Sequence, residues 1–178
     1  DTNAIFVWAL PSGRLLSLGD TGNDTCSIAF SPLLSHTGSP GAVTADAVQW
    51  LAAGSWDGKV YLWQIPLKPK MPPQKLDSPV QTLSPKQVLA FGSDDSDEPS
   101  LIQAVAFSSD GSRLAAGSVS PNSKLHVWEV SPDLVEGLRV SHTVGRVTSL
   151  AWSPDSVTLA AGRMTGLGGD AMQGMVHM

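Results

Sequence analysis

Gly54-Ser55-Trp56-Asp57-Gly58-Lys59-Val60-Tyr61-Leu62-Trp63 reads as the end of one strand, a tight turn and a second strand. Asp-Gly is a strong hairpin signal, because glycine takes a positive φ without steric cost. Lys59 to Trp63 carries β-branched and aromatic residues, as a pleated, half-buried surface favours. Working outward, the lead-in Leu51-Ala52-Ala53-Gly54-Ser55 recurs as Leu114-Ala115-Ala116-Gly117-Ser118 and as Leu159-Ala160-Ala161-Gly162-Arg163. Each lead-in is preceded by another recurring run. These are Ser27-Ile28-Ala29-Phe30-Ser31-Pro32, Ala104-Val105-Ala106-Phe107-Ser108-Ser109 and Ser149-Leu150-Ala151-Trp152-Ser153-Pro154. The run that closes on tryptophan appears as Phe6-Val7-Trp8, Tyr61-Leu62-Trp63 and His126-Val127-Trp128. Sequence that repeats in this way marks a supersecondary unit that buries its apolar face by stacking on its neighbours.

Weaker strands fill the gaps. Arg14 to Leu18 follows the first tryptophan run, Glu136 to Ser141 follows the third, and the second is followed by a strand between Val80 and Phe91. The order is third and fourth strands, two full sets of four, then first and second strands, about twelve strands by pattern. Leu33 to Asp46 is an insertion rich in Ser, Gly and Pro, and Pro66 to Pro79 is a Pro/Lys segment suited to a stiff spacer or a polyproline docking peptide. Ser93 to Ser100 is acidic, and its serines are candidates for phosphorylation. Beyond Met164 no strand pattern is legible, so residues 164–178 read as a flexible tail on a domain spanning 1–163.

Strand order, turns and tryptophan positions resemble the WD40 repeat β-propeller family, over roughly residues 5–163. The resemblance implies an all-β fold of four-stranded antiparallel blades around a central channel, here two complete blades and two half blades. It also implies structural roles for Trp8, Trp63, Trp128, the turn residue Asp57 and His142, which reads as a turn residue. The chain departs from the pattern in several places. No tryptophan of the three is followed by Asp, Asn122 stands where the next turn Asp belongs, and the strand hydroxyl position is Ala53, Ala116 or Ala161. No blade therefore holds the family's whole polar network, and packing must carry more of the stability. The blade count points to a piece of a larger propeller or an open array whose edges invite self-association.

Composition narrows the function. The chain has 178 residues, 42% hydrophobic and 15% charged, with 17 Gly and 13 Pro. Net charge is −5 without a Lys/Arg cluster interleaved with aromatics, which disfavours nucleic acid as main partner. A lone cysteine, Cys26, rules out an intrachain disulfide and fits an intracellular, cytoplasmic or nuclear, setting. No apolar run is long enough for a membrane helix. His36, His126, His142 and His177 have no neighbours at ligand spacing, Gly166-Leu167-Gly168-Gly169 lacks the Lys-Ser/Thr of a phosphate loop, and Cys26 has no nearby histidine to activate it. No cofactor or metal is expected.

The resulting expectation is a non-catalytic scaffold that presents propeller surfaces to a protein or peptide partner. Rivals are nucleic-acid binding through a surface patch and an enzyme with groups around the channel. The resemblance puts Trp56 on the partner-binding rim, and Arg146 and the acidic pair Asp94 and Asp95 on the same face. Exposed tryptophans are enriched at binding hot spots.

Overall fold

A computed structural model describes residues 3–9, 14–19, 21–35, 47–65, 81–91, 100–119, 123–143, 145–164 and 175–176. All regular structure among them is β. Fourteen strands run β1 (Ile5–Ala9), β2 (Arg14–Leu18), β3 (Thr25–Phe30), β4 (Gln49–Ser55), β5 (Lys59–Ile65), β6 (Gln81–Leu83), β7 (Gln87–Ala90), β8 (Ile102–Phe107), β9 (Arg113–Ser118), β10 (Lys124–Val130), β11 (Val135–Thr143), β12 (Arg146–Trp152), β13 (Leu159–Met164) and β14 (Met175–Val176).

They form four sheets. Sheet I is β1-β2-β6, sheet II is β3-β4-β5-β7, sheet III is β8-β9-β10-β11 and sheet IV is β12-β13-β14. Sheets II and III are complete antiparallel blades, joined in register by the recurring runs. Ile28 faces Ala53 in one, Val105 faces Ala116 in the next, and Leu150 faces Ala161 in sheet IV. Each pair of sheets sandwiches an apolar seam. Ile5, Leu18, Leu51, Ala53, Tyr61 and Trp63 fill the I–II seam. Trp50, Ala52, Val60, Leu62, Ile102, Val105, Leu114 and Trp128 fill the II–III seam. Ala115, Leu125, Val127 and Leu159 form the III–IV seam, with Leu150 and Trp152 against it.

The alternation has a direction. In sheets II and III the face turned toward the previous sheet carries Leu51 and Trp63, or Phe107, Leu114 and Trp128, while the first two strands on the opposite face carry Ala29, Ala52 and Gly54 beside Trp50, or Ala115 and Gly117. Glycine is required there. A Cβ on Gly54 would stand 2.7 Å from Cγ2 of Ile102, and one on Gly117 would stand 2.4 Å from Cγ1 of Val147. The next blade's first strand thus presses a β-branched knob onto each glycine.

Four details differ from the sequence reading. The segment expected to give one strand after Trp63 gives two. Gln87–Ala90 completes sheet II antiparallel to β5, while Gln81–Leu83 crosses to pair in parallel with β2. Beyond Met164, where no strand pattern was legible, Met175 and Val176 pair with Ala161 and Ala160 in the third-strand position of sheet IV. His142, read as a turn residue, lies in β11 opposite Leu125. Trp8, expected to be structural like Trp63 and Trp128, is 60% exposed. The physical reason is positional. Trp63 is covered by sheet I and Trp128 by sheet II, whereas the corresponding face of sheet I has no sheet against it among the described residues.

Candidate functional site

The site is built on the hairpin turn between β4 and β5. Asp57 follows Trp56, and Gly58 at φ +80° lets the chain reverse. The Asp57 carboxylate accepts from its own hairpin: the Tyr61 hydroxyl at 2.6 Å, the Lys59 backbone N–H at 3.2 Å and the Lys59 ammonium at 3.2 Å. The connection from β2 to β3 closes over it. Gly22, at φ +69°, backs onto the pair so closely that a Cβ there would lie 2.7 Å from Asp57 Oδ2 and 2.8 Å from the Tyr61 hydroxyl. Ser55 Oγ donates to the Thr21 carbonyl at 2.9 Å, and the Trp56 N–H donates to the Asp24 carbonyl at 3.0 Å. Thr21 is itself fully buried and its hydroxyl reaches the carbonyl of Asn3, 18 residues back. The turn is therefore fixed from two sides, and Trp56 stands on it with 38% of its surface exposed.

Partial burial alone would raise the Asp57 pKa, but hydrogen bonds from Tyr61, Lys59 and Ser55 and the charge of Lys59 outweigh it and hold the carboxyl below its usual range. A carboxylate with a depressed folded-state pKa stabilises the fold above its unfolded-state value and loses that contribution as pH falls. Asp57→Asn is thus expected to cost stability near neutral pH, with the gap to wild type closing as pH drops below about 4. Urea midpoints of both proteins across that range check it.

Asp57 and Trp63 do not share a network. The Trp63 indole N–H donates to the Leu83 carbonyl at 3.1 Å, from the segment that crosses to sheet I. Tyr61 takes the place next to Asp57, a role the sequence reading missed. The available signal was the spacing Asp57-x-x-x-Tyr61 across a tight hairpin. Trp63 is fully buried and stacks beside Tyr61, with centroids 6.1 Å apart. Trp128 is buried against Phe91 and His126, and His126 lies flat on Phe91 at 4.1 Å between ring centroids.

Arg146 opens β12 opposite Met164 at the end of β13 and is exposed. Each first strand begins beside the end of the second, where the next turn lies, so topology puts Arg146 on the same rim as Trp56, two blades along. Asp94, Asp95, Asn122, the Pro/Lys segment, most of the Ser/Gly/Pro insertion, His36 and His177 lie outside the described residues. Cys26 is partly buried, and burial together with Asp24 raises its thiol pKa, the direction that makes it less nucleophilic at neutral pH. Among the described residues, no three His, Cys, Asp or Glu side chains are grouped to hold a metal, and no helix is long and apolar enough to cross a membrane.

The family model described as WD domain, G-beta repeat matches residues 19–64, 78–129 and 136–170. No curated protein matches the chain. Among solved structures, the crystal structure of RRP9 WD40 repeats is similar at 20% identity with a TM-score of 0.58. The alignment covers 93% of this chain and 43% of that one, so the chain spans less than half the length of the structure it resembles. With most of its length matched by the repeat model, and its blades built as described, the chain belongs to the WD40 repeat family.

Proposed function

We propose that the chain is a non-catalytic interaction module, and that the rim around Trp56 holds a protein or peptide partner within a larger intracellular assembly. The observation that carries this reading is the exposed indole on a turn locked by Asp57, Tyr61 and the 21–24 connection. A rigid aromatic anchor binds without first losing much conformational entropy, which is how hot spots concentrate affinity. Family membership supports the same reading, because WD40 repeats generally mediate protein–protein interaction. On this proposal Arg146 and the acidic pair Asp94 and Asp95 set the charge pattern along that rim.

The test is a peptide-display selection on the folded chain, with affinities then measured for wild type and Trp56→Ala. Selected peptides are expected to lose at least about thirtyfold in affinity, the ~2 kcal/mol from which an interface residue counts as a hot spot. The unfolding midpoint should move little, since a surface side chain away from the core contributes within about 0.5 kcal/mol. Binders indifferent to the substitution would move the partner surface elsewhere.

A further inference from the structure

The outer edge of β2 carries a strand that belongs, in chain order, to the next blade. We infer that this edge is a docking site for an extended peptide of a partner protein, with residues 81–83 as its resident competitor. The inference goes beyond the partner rim around Trp56 and does not depend on it.

β2 is the outermost of the two consecutive strands of sheet I, with β1 on its inner side. The outermost strands of sheets II and III, β7 and β11, carry no further strand among the described residues. On β2 a further strand is added: β6 pairs Gln81 with Leu16, Thr82 with Ser17 and Leu83 with Leu18. This is the one parallel pairing among the described strands. Blade construction does not require it. In sheet III residues 131–134 join the third strand to the fourth, whereas in sheet II the same connection takes residues 66–86 and spends part of them on the edge of another blade.

The edge offers both affinity and selectivity. The free N–H and C=O groups of an outer strand pair with an extended chain through main-chain bonds, and a pocket for one side chain supplies the choice. Just past the end of β2 two further donors converge. The Gly19 N–H, at 2.8 Å, and the Trp63 indole N–H, at 3.1 Å, both donate to the Leu83 carbonyl. The Leu83 side chain packs onto the I–II seam that holds Ile5, Leu18 and Trp63. Thr82 and Ser84, on either side of it, are exposed. Gly19 keeps the approach open, because a Cβ there would lie 3.3 Å from the Leu83 carbonyl oxygen and 3.8 Å from Ser84 Cα. The fitting ligand is therefore an extended segment, parallel to β2, with one leucine-like residue between small polar ones.

The resident's own hold is limited. It makes three register pairs, and parallel pairing is the less stable kind per residue. Pro85 has no N–H with which to continue a ladder. The chain then returns to sheet II, where the Lys86 N–H donates to the Leu62 carbonyl at 2.7 Å and its ammonium to the Gln64 carboxamide at 2.9 Å. Release of residues 81–83 thus leaves the return to β7 anchored. Tethering is what favours the resident, through an effective concentration on the order of millimolar. A partner segment that extends the pairing along β2 competes with it.

The probe is a synthetic peptide with the sequence of residues 78–86, titrated into the isotope-labelled chain while the amide resonances of residues 16–19 are followed by NMR. Leu83→Asp in the protein removes the resident's anchor and is expected to tighten probe binding at least about tenfold over wild type, as loss of a tethered competitor predicts. The same Leu→Asp change in the probe should abolish binding. A second variant serves where Leu83→Asp fails to fold: Ser17→Cys with Thr82→Cys, in a Cys26→Ser background. These register partners lie on neighbouring strands, roughly 4.8 Å apart and within disulfide reach. Oxidised, the resident is fixed and the probe should not bind; reduced, binding should return. Equal behaviour of the oxidised and reduced forms, no shifts in the reduced form at about the millimolar probe concentration that matches the tether, a folded Leu83→Asp protein that binds no better than wild type, or a Leu→Asp probe that still binds would overturn the inference.

Discussion

Trp50→Ala is expected to lower the unfolding free energy by about 3–5 kcal/mol, the range for removing a large buried aromatic. Trp50 is fully buried in the II–III seam on β4. Its indole N–H donates to the Ser131 carbonyl at 3.0 Å, tying sheet II to the connection between β10 and β11, 81 residues away. The Lys86 ammonium lies 5.5 Å from the ring centre, adding a cation–π contact from the strand connection ahead of β7. Truncation leaves a cavity between two sheets whose backbones are held by their own ladders, so collapse is limited and the cost falls toward the upper part of the range. Trp50→Phe keeps most of the volume and forfeits the hydrogen bond, a loss of about 1 kcal/mol for the bond itself. Equilibrium urea unfolding separates them: the midpoint should fall steeply for alanine and modestly for phenylalanine, with the denaturant slope unchanged if both blades still unfold together.

Gly117→Val is the second large effect, and it acts by overfilling. The new Cβ would lie 2.4 Å from Cγ1 and 2.6 Å from Cβ of Val147, both on a stiff β-branched side chain with no room to rotate away. Overpacking typically costs about 1–3 kcal/mol, and contacts this short call for the top of that range or more. The penalty is specific to one neighbour. Val147→Gly, which removes the Cβ together with both γ carbons, should therefore recover part of the loss in the double variant, a coupling that a general loss of strand propensity would not produce. Thermal midpoints of the four proteins in the cycle give the interaction directly. The parallel substitution Gly54→Ala meets Ile102 Cγ2 at 2.7 Å and should show the same sign with a smaller size.

Both effects come from seams between blades, and the seams are where sequence legibility divides. Strand runs and turns were readable because they follow from local rules. Alternation over Lys59 to Trp63, Asp-Gly at the hairpin and threefold recurrence of the Leu-Ala-Ala-Gly lead-in each need only neighbouring residues to be interpreted. The small residues at Ala52 and Ala115 were visible as repeats, but nothing local says that they form a bed for the next blade's large residues. Trp50 had no repeat partner and no motif around it. Its importance arises from Ser131 and Lys86, which are distant in sequence.

At the candidate site the division is similar. Trp56 and Asp57 stood out because a turn announces itself. Tyr61 as the hydroxyl partner of Asp57, and Gly22 as the residue pressed against both, were set by how the β2–β3 connection folds over the hairpin. Trp8 carried the same local signature as Trp63 and Trp128 yet ended exposed, since burial depends on a neighbouring sheet and not on the strand's own pattern. Gln81–Leu83 likewise reads as part of one strand region and is divided from β7 by the pull of β2's open edge.

The amino-acid sequence by itself determined the all-β class, the four-strand repeat, the position of the turns and the family, because side-chain period and turn chemistry are short-range. Tertiary structure alone decided which face of each strand is covered, where β6 and β14 attach, and how Asp57 is held. Those outcomes depend on surfaces brought together from opposite parts of the chain, and no local spacing encodes the distance between them.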